Sequence, residues 1–302
     1  MRILVIKLGA LGDFVQAMGP ASAIRRHHRG DEITLLTTAP FAELARAAPY
    51  FDRVLIDERP RLFDLGGWWR LARLLRQGGF ERVYDLQTSD RSSFYHLLMG
   101  RPDWSGIARG ASLRHVNSER DRMHTIDRQA DQLRMAGISE VPPPDLSWAA
   151  RDVAALDLPE RLLLLVPGGS AHRPQKRWPV ERFAALAGVA VRRGVTPVVL
   201  GGAQEKHLGR FIAERCAAAR DLTGRTGLGE LVGLGQRALH AVGNDTGPMH
   251  VLVAAGAPAT VLYSAASDPT LTAPRGARVR ILRRAALGEL GVEEVAATLA
   301  FG

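Results

Sequence analysis

The chain has 302 residues, 46% of them apolar and 24% charged, a globular composition that excludes a disordered polymer. At this length two domains are expected, each large enough for its own core. Its 40 Lys and Arg outnumber 31 Asp and Glu, for a net charge of +9, and its single cysteine, Cys216, excludes an intrachain disulfide, a Cys-based zinc cluster and an iron–sulfur site.

The opening MRILVIKLGALGDFV has the look of a signal peptide, but Lys7 and Asp13 interrupt its apolar stretch. It reads better as a first strand entering a loop. No apolar run approaches the roughly 18 residues of a membrane span, so the expected location is cytoplasmic. Further along the first half, strands are predicted at 3–6, 33–36, 54–56 and 83–86, with a helix over 14–28 closed by Gly30 and Asp31. The run Val141-Pro142-Pro143-Pro144-Asp145-Leu146-Ser147-Trp148 then reads as an extended linker, because consecutive prolines exclude a helix. It divides the chain into residues 1–145 and 146–302. Past it come a short helix over 151–158, strands at 162–166, 196–200, 238–242 and 260–263, and helices over 180–193, 203–219, 227–235 and 246–255. A last strand near 279–282 leads into a helical tail over 289–300. Continuous apolar strands separated by helices imply parallel crossovers, so each half reads as a Rossmann-like α/β sheet.

The basic excess concentrates at Arg25-Arg26-His27-His28-Arg29, at Arg70, Arg73 and Arg76, and at Arg278, Arg280, Arg283 and Arg284. Two readings stand side by side: a field for anionic ligands or membranes, and an ordinary solvated surface rich in arginine. No aromatic-basic signature accompanies the charge, so nucleic acid is not the expected partner.

Ligands of open α/β sheets bind at the carboxyl ends of the strands, and four loops there are informative. Lys7-Leu8-Gly9-Ala10-Leu11-Gly12-Asp13 follows the first strand without the GxGxxG spacing of dinucleotide sites. Asp13 in it is either a helix N-cap or a carboxylate at a cleft floor, available as a general base. The second loop runs from Val166 to Pro179 and lacks a Walker ending, yet the amides of Gly168, Gly169 and Ser170 with Lys176 suit a phosphate. In the third, Gly201-Gly202-Ala203-Gln204-Glu205, either Glu205 or Gln204 can accept from ribose hydroxyls. The fourth, Gly243-Asn244-Asp245-Thr246-Gly247-Pro248-Met249-His250, opens a helix whose N-terminal amides and dipole favour an anion, with His250 one turn in.

Taken together, ILVIKLGALGD, DLQTSDRSS, PGGS with QKRWP, and GNDTGPMH resemble glycosyltransferase family nine, the ADP-heptose:lipopolysaccharide heptosyltransferases, in order along essentially the whole chain. The resemblance implies a GT-B fold, with two Rossmann-like domains of mainly parallel sheet facing a central cleft and a C-terminal helix packing back toward the N-terminal domain. It implies inverting transfer of heptose from ADP-heptose to a lipopolysaccharide inner-core acceptor, without a metal or other cofactor, with Asp13 as the base. Lys176 then matches the lysine at the donor phosphates, Ser170 joins the phosphate cradle, and Asp245, Thr246, Gly247 and His250 hold the donor's sugar and diphosphate. Glu205 is the choice for the ribose. On the acceptor side Gly12, Arg59, Arg61, Arg91 and Ser92 sit in loops expected at the first domain's edge. The partners implied are a nucleotide-sugar donor, an anionic lipid-linked saccharide and the inner face of the cytoplasmic membrane, touched peripherally. A nicotinamide oxidoreductase is disfavoured by the missing GxGxxG. A family member with another donor and a non-catalytic nucleotide-sugar binder are the competing readings.

Overall fold

The computed structural model describes residues 1–170, 172–299 and 301. The chain forms two compact units, Met1–Pro144 and Asp145–Gly302, so the division falls within one residue of the position expected from the proline run.

In the first unit the elements run β1 (Arg2–Ile6), α1 (Leu11–Gln16), α2 (Met18–His27), β2 (Glu32–Thr37), α3 (Ala42–Ala47), β3 (Arg53–Ile56), α4 (Leu65–Gln77), β4 (Arg82–Asp85), α5 (Asp90–Leu98), β5 (Asp103–Gly106), β6 (Leu113–Arg114) and α6 (Thr125–Met135). Strand order is β3-β2-β1-β4-β5-β6, and every pairing is parallel. Ile3, Leu4, Val5 and Ile6 are all buried, as the continuous apolar run requires of a strand covered on both faces. The single helix expected over 14–28 is two, meeting at Ala17. Pro20 is the reason: with no N–H to donate to Gln16 it fits the first turn of a new helix, not the middle of an old one.

The second unit repeats the plan with β7 (Leu162–Val166), α7 (Val180–Arg192), β8 (Thr196–Val199), α8 (Lys206–Arg215), β9 (Arg220–Asp221), α9 (Leu228–Arg237), β10 (His240–Asn244), α10 (Gly247–Ala254), β11 (Ala259–Tyr263), α11 (Pro269–Thr272), β12 (Val279–Arg283) and α12 (Val292–Ala296). Its order, β12-β11-β10-β7-β8-β9, is the first sheet's read from the other edge, again all parallel. The helix expected over 151–158 is absent; a single 3₁₀ turn at Ala154–Leu156 stands there instead, after another at Ser147–Ala149. Asp152 accepts from the Ala154 N–H at 2.8 Å, a local side-chain bond that competes with helix formation. The expected helix over 203–219 stops at Arg215, where the chain turns into the two-residue strand β9.

The tail is helical over Val292–Ala296 only, and Ala300, where the predicted helix ends, lies outside the described residues. Leu290, Val295, Leu299 and Phe301 pack with Trp178 and Phe183 in the second unit's own core. The Trp178 indole N–H donates to Leu290 O at 2.9 Å, fixing the tail to the start of α7.

Candidate active site

In each sheet the strand order reverses between two central strands, β1 and β4 in the first unit, β7 and β10 in the second. A crevice opens at the carboxyl ends of such a pair. The four loops singled out above include those that follow β1, β7 and β10.

At the first unit's switch point Lys7 leaves β1, and Asp85, in register with Ile6, ends β4. Lys7 is buried and donates from Nζ to Leu86 O at 3.2 Å. Burial pushes its ammonium below the usual lysine value, while the carboxylates of Asp13 and Asp85 oppose that shift. Burial likewise pushes the Asp85 carboxyl up to about 6, against the N–H groups of Thr88 and Gln87 that reach its Oδ1 at 2.9 and 3.1 Å. Asp13 is not the N-cap of α1: that position is Ala10, and no side chain caps it. The carboxylate sits in the first turn, partly exposed, with Gly12 beside it and the Lys7 ammonium as its fixed neighbouring charge. Gly9 makes this turn possible, since it has φ +126° and a Cβ there would lie 2.7 Å from the Phe41 ring.

Near the same rim, Arg120 Nη2 is buried without a hydrogen-bond partner, while Nε donates to His115 Nδ1 at 3.3 Å. Burial, and then the charge of Arg128, push Arg120 below the usual arginine value. Neither arginine was singled out from the sequence. An unsatisfied buried guanidinium nitrogen beside a second guanidinium is the arrangement an anion would complete.

The second unit's rim is built on Asn244, the fully buried last residue of β10. Its Nδ2 donates to Pro167 O at 2.8 Å and Gly168 O at 3.0 Å, and its Oδ1 accepts from the Trp178 N–H at 2.9 Å. One side chain thus pins both ends of the loop between β7 and α7. Arg177 adds a clamp, donating to Gly169 O at 2.5 Å. Lys176 stands in a 3₁₀ turn and meets Asp245 at 2.7 Å, both side chains being largely buried. Burial raises the Asp245 carboxyl, yet bonds from Lys176 and from Ser267, at 2.8 Å, overrule it and hold the group below the ordinary aspartate value. Thr246 is the N-cap of α10, with no side-chain cap bond, and Gly247 opens the helix. A held ammonium beside an uncapped helix N-terminus suits a phosphate.

Residues 68–294 match the sequence model described as glycosyltransferase family 9 (heptosyltransferase). The chain belongs to glycosyltransferase family 9. It is 26% identical over 326 aligned positions to the lipopolysaccharide heptosyltransferase 2 of Escherichia coli strain K12, covering 94% of this chain and 88% of that protein. With the enzyme of the same name from Salmonella typhimurium it shares 27% over 318 positions, at the same coverage. Among solved structures it is similar to the E. coli ADP-heptose lipopolysaccharide heptosyltransferase II, with TM-score 0.81, 24% identity and coverage of 99% and 97%. A family 9 glycosyltransferase from Veillonella parvula superposes at TM-score 0.87, with 22% identity and coverage of 98% and 95%. The fold is GT-B.

Within this glycosyltransferase the nominated residues separate by environment. Lys176 and Asp245 come together as one ion pair, with Thr246 and Gly247 adjoining and His250 buried within the first turn and a half of α10. Glu205 lies under the loop: its Oε2 accepts from the Gly202 N–H, and a Cβ on Gly168 would meet its Oε1 at 2.7 Å. The Gly202 bond engages one carboxylate oxygen, while Gln204 is exposed. Ser170 is exposed, and its neighbour Ala171 lies outside the described residues. On the acceptor side Arg59 and Arg61 are exposed. Arg91 instead donates to Pro60 O at 2.6 Å and stacks over Trp68, bracing the β3–α4 connection. Ser92 is fully buried, its hydroxyl engaged with Ser89 in the capping box of α5. Both side chains are thus tied to neighbouring backbone, Arg91 at Pro60 and Ser92 at Ser89. Among the described residues no group of three His, Cys, Asp or Glu is placed to hold a metal ion, and no helix is long and apolar enough to cross a membrane.

Proposed function

We propose that this glycosyltransferase moves heptose from ADP-heptose to an anionic, lipid-linked inner-core acceptor of lipopolysaccharide, inverting the anomeric centre, at the inner face of the cytoplasmic membrane. Heptose transfer and lipopolysaccharide are in the names of its relatives, and ADP-heptose is in that of a similar solved structure. The observation that carries the reading is the Lys176–Asp245 pair at the N-terminus of α10. It holds a cation where a diphosphate would lie, and the carboxylate that holds it also fixes its direction.

In this mechanism Asp13 takes the proton of the acceptor hydroxyl as that oxygen bonds to the anomeric carbon. The bond from that carbon to the phosphate oxygen breaks, and its electron pair leaves with ADP. Charge developing on the diphosphate is met by Lys176, by the amides of Gly168, Gly169 and Ser170, and by those opening α10. Glu205 faces the ribose, and Thr246, Gly247 and His250 surround the donor's sugar and diphosphate. Arg59 and Arg61, with Arg120 and Arg128 added from the structure, receive the acceptor's anionic groups beside Gly12.

Two measurements test this. Among ADP, GDP, UDP, dTDP and NAD, ADP should raise the melting temperature most, since stabilisation follows affinity for the folded state. Asp13→Asn should keep that shift and lose transfer by roughly 10²–10⁴-fold, the range for a lost general base. Undiminished turnover in the variant removes Asp13 from the chemistry, and a larger shift with another nucleotide reassigns the donor.

A further inference from the structure

The first unit carries an apolar surface that its core does not use. Leu62 and Phe63 in the β3–α4 connection and Leu65 and Trp69 on α4 are 76%, 90%, 78% and 62% exposed. Beside them a groove of about 560 Å³ runs between α4 and α5, lined by Leu62, Leu65, Trp68, Phe94 and Leu98 with Asp90 and Arg91 at its edge. It continues past Phe94 toward Leu97, Arg101 and Arg109. The surface is built rather than frayed: the Trp68 and Phe94 rings meet edge-on at 5.4 Å, and the Arg73 guanidinium lies 5.5 Å above the Trp69 ring.

Charge decides what such a face meets. Between positions 59 and 76 stand Arg59, Arg61, Arg70, Arg73 and Arg76 against the single acid Asp64, whose carboxylate is engaged in capping α4 through the Gly67 N–H. Bulky apolar tips projecting among guanidiniums are the composition of a segment that lies in a membrane interface. A second copy of the chain would set these arginines against themselves, on a molecule already at +9. We propose that this face seats on an anionic lipid bilayer, with Leu62, Phe63, Leu65 and Trp69 entering the boundary between headgroups and acyl chains while Arg70 and Arg73 meet headgroup phosphates. It deepens the function proposed above by naming the surface that delivers the enzyme to a lipid-linked acceptor, and rests on that reading for its purpose alone.

The test is co-sedimentation of the full chain with vesicles of phosphatidylcholine alone and of phosphatidylcholine mixed with phosphatidylglycerol. Binding is expected to the anionic vesicles and to fall with added salt. Leu62→Ser combined with Phe63→Ser should weaken it at least roughly tenfold, the scale of two large apolar side chains left in water. Arg70→Gln and Arg73→Gln should each weaken it roughly fivefold. Because these side chains are exposed, melting temperatures and the ADP-induced shift should match the parent's. A parent that ignores anionic vesicles overturns the proposal, and so does a double serine variant that binds as well as the parent. A dimer dissolved by Phe63→Ser hands the face to a second copy and overturns it equally. Vesicle binding without any nucleotide shift would instead leave the membrane face standing and remove the transferase reading.

Discussion

Asp85 ends a strand in the sequence, and three-dimensional burial turns it into a titrating group at about 6. The sign of its effect follows from the two pKa values. The unfolded carboxyl releases its proton near 4 and the folded one near 6, so between them the folded state holds the extra proton and stability falls as pH rises. Relative to Asp85→Asn, the parent should lose about 2 kcal/mol between about pH 4 and about pH 8. Urea unfolding of both proteins across that interval checks it; a difference that stays constant with pH contradicts it. Asp245 behaves oppositely: the Lys176 ammonium at 2.7 Å and the Ser267 hydroxyl outweigh its burial, whereas the amides of Thr88 and Gln87 and the buried Lys7 do not outweigh that of Asp85. Both aspartates stand at or just beyond the end of a central strand. Lys176 and Asp245 were each singled out in the sequence, but 69 positions separate them and nothing local signals their pairing. Arg120 was illegible for a similar reason, since its unsatisfied nitrogen exists only where the fold buries it.

At the scale of elements, the loop between β7 and α7 is held by one amide. Asn244→Ala would leave Pro167 O, Gly168 O and the Trp178 N–H without their partner in a buried setting. The expected cost is about 2–4 kcal/mol in denaturant unfolding, with ADP affinity lowered because the loop loses both anchors. Asn244→Asp is the sharper probe: it keeps an acceptor for Trp178 but turns a carboxylate toward two carbonyls, and should be no more stable than the alanine variant. Full stability in either would show that the loop holds itself. The sequence named nine of the strands, the central ones because buried parallel strands are uniform apolar runs. It missed β5, β6 and β9, which have four, two and two residues and no such run. The helix over 151–158 was mistaken because Asp152 binds the backbone locally.

For the whole molecule, each unit has its own sheet and its own core, so a ligand of the second unit should be felt there first. ADP should slow amide exchange most in residues 166–178 and 243–250, with the first unit's strands changing little; protection concentrated around β1 and α1 would move the nucleotide to the other unit. The sequence by itself determined the two-unit α/β plan, the division at the prolines and the glycine-rich loops at the carboxyl ends of the strands. These are written in short-range patterns of apolar runs, prolines and glycines, which act through neighbouring residues. Tertiary structure alone decided that Lys176 is held by Asp245, that Asn244 ties the loop between β7 and α7, that Arg91 reaches Pro60 O, and that the tail completes the second unit's core. Each depends on which distant groups burial brings within hydrogen-bond or van der Waals reach, and no local pattern records that.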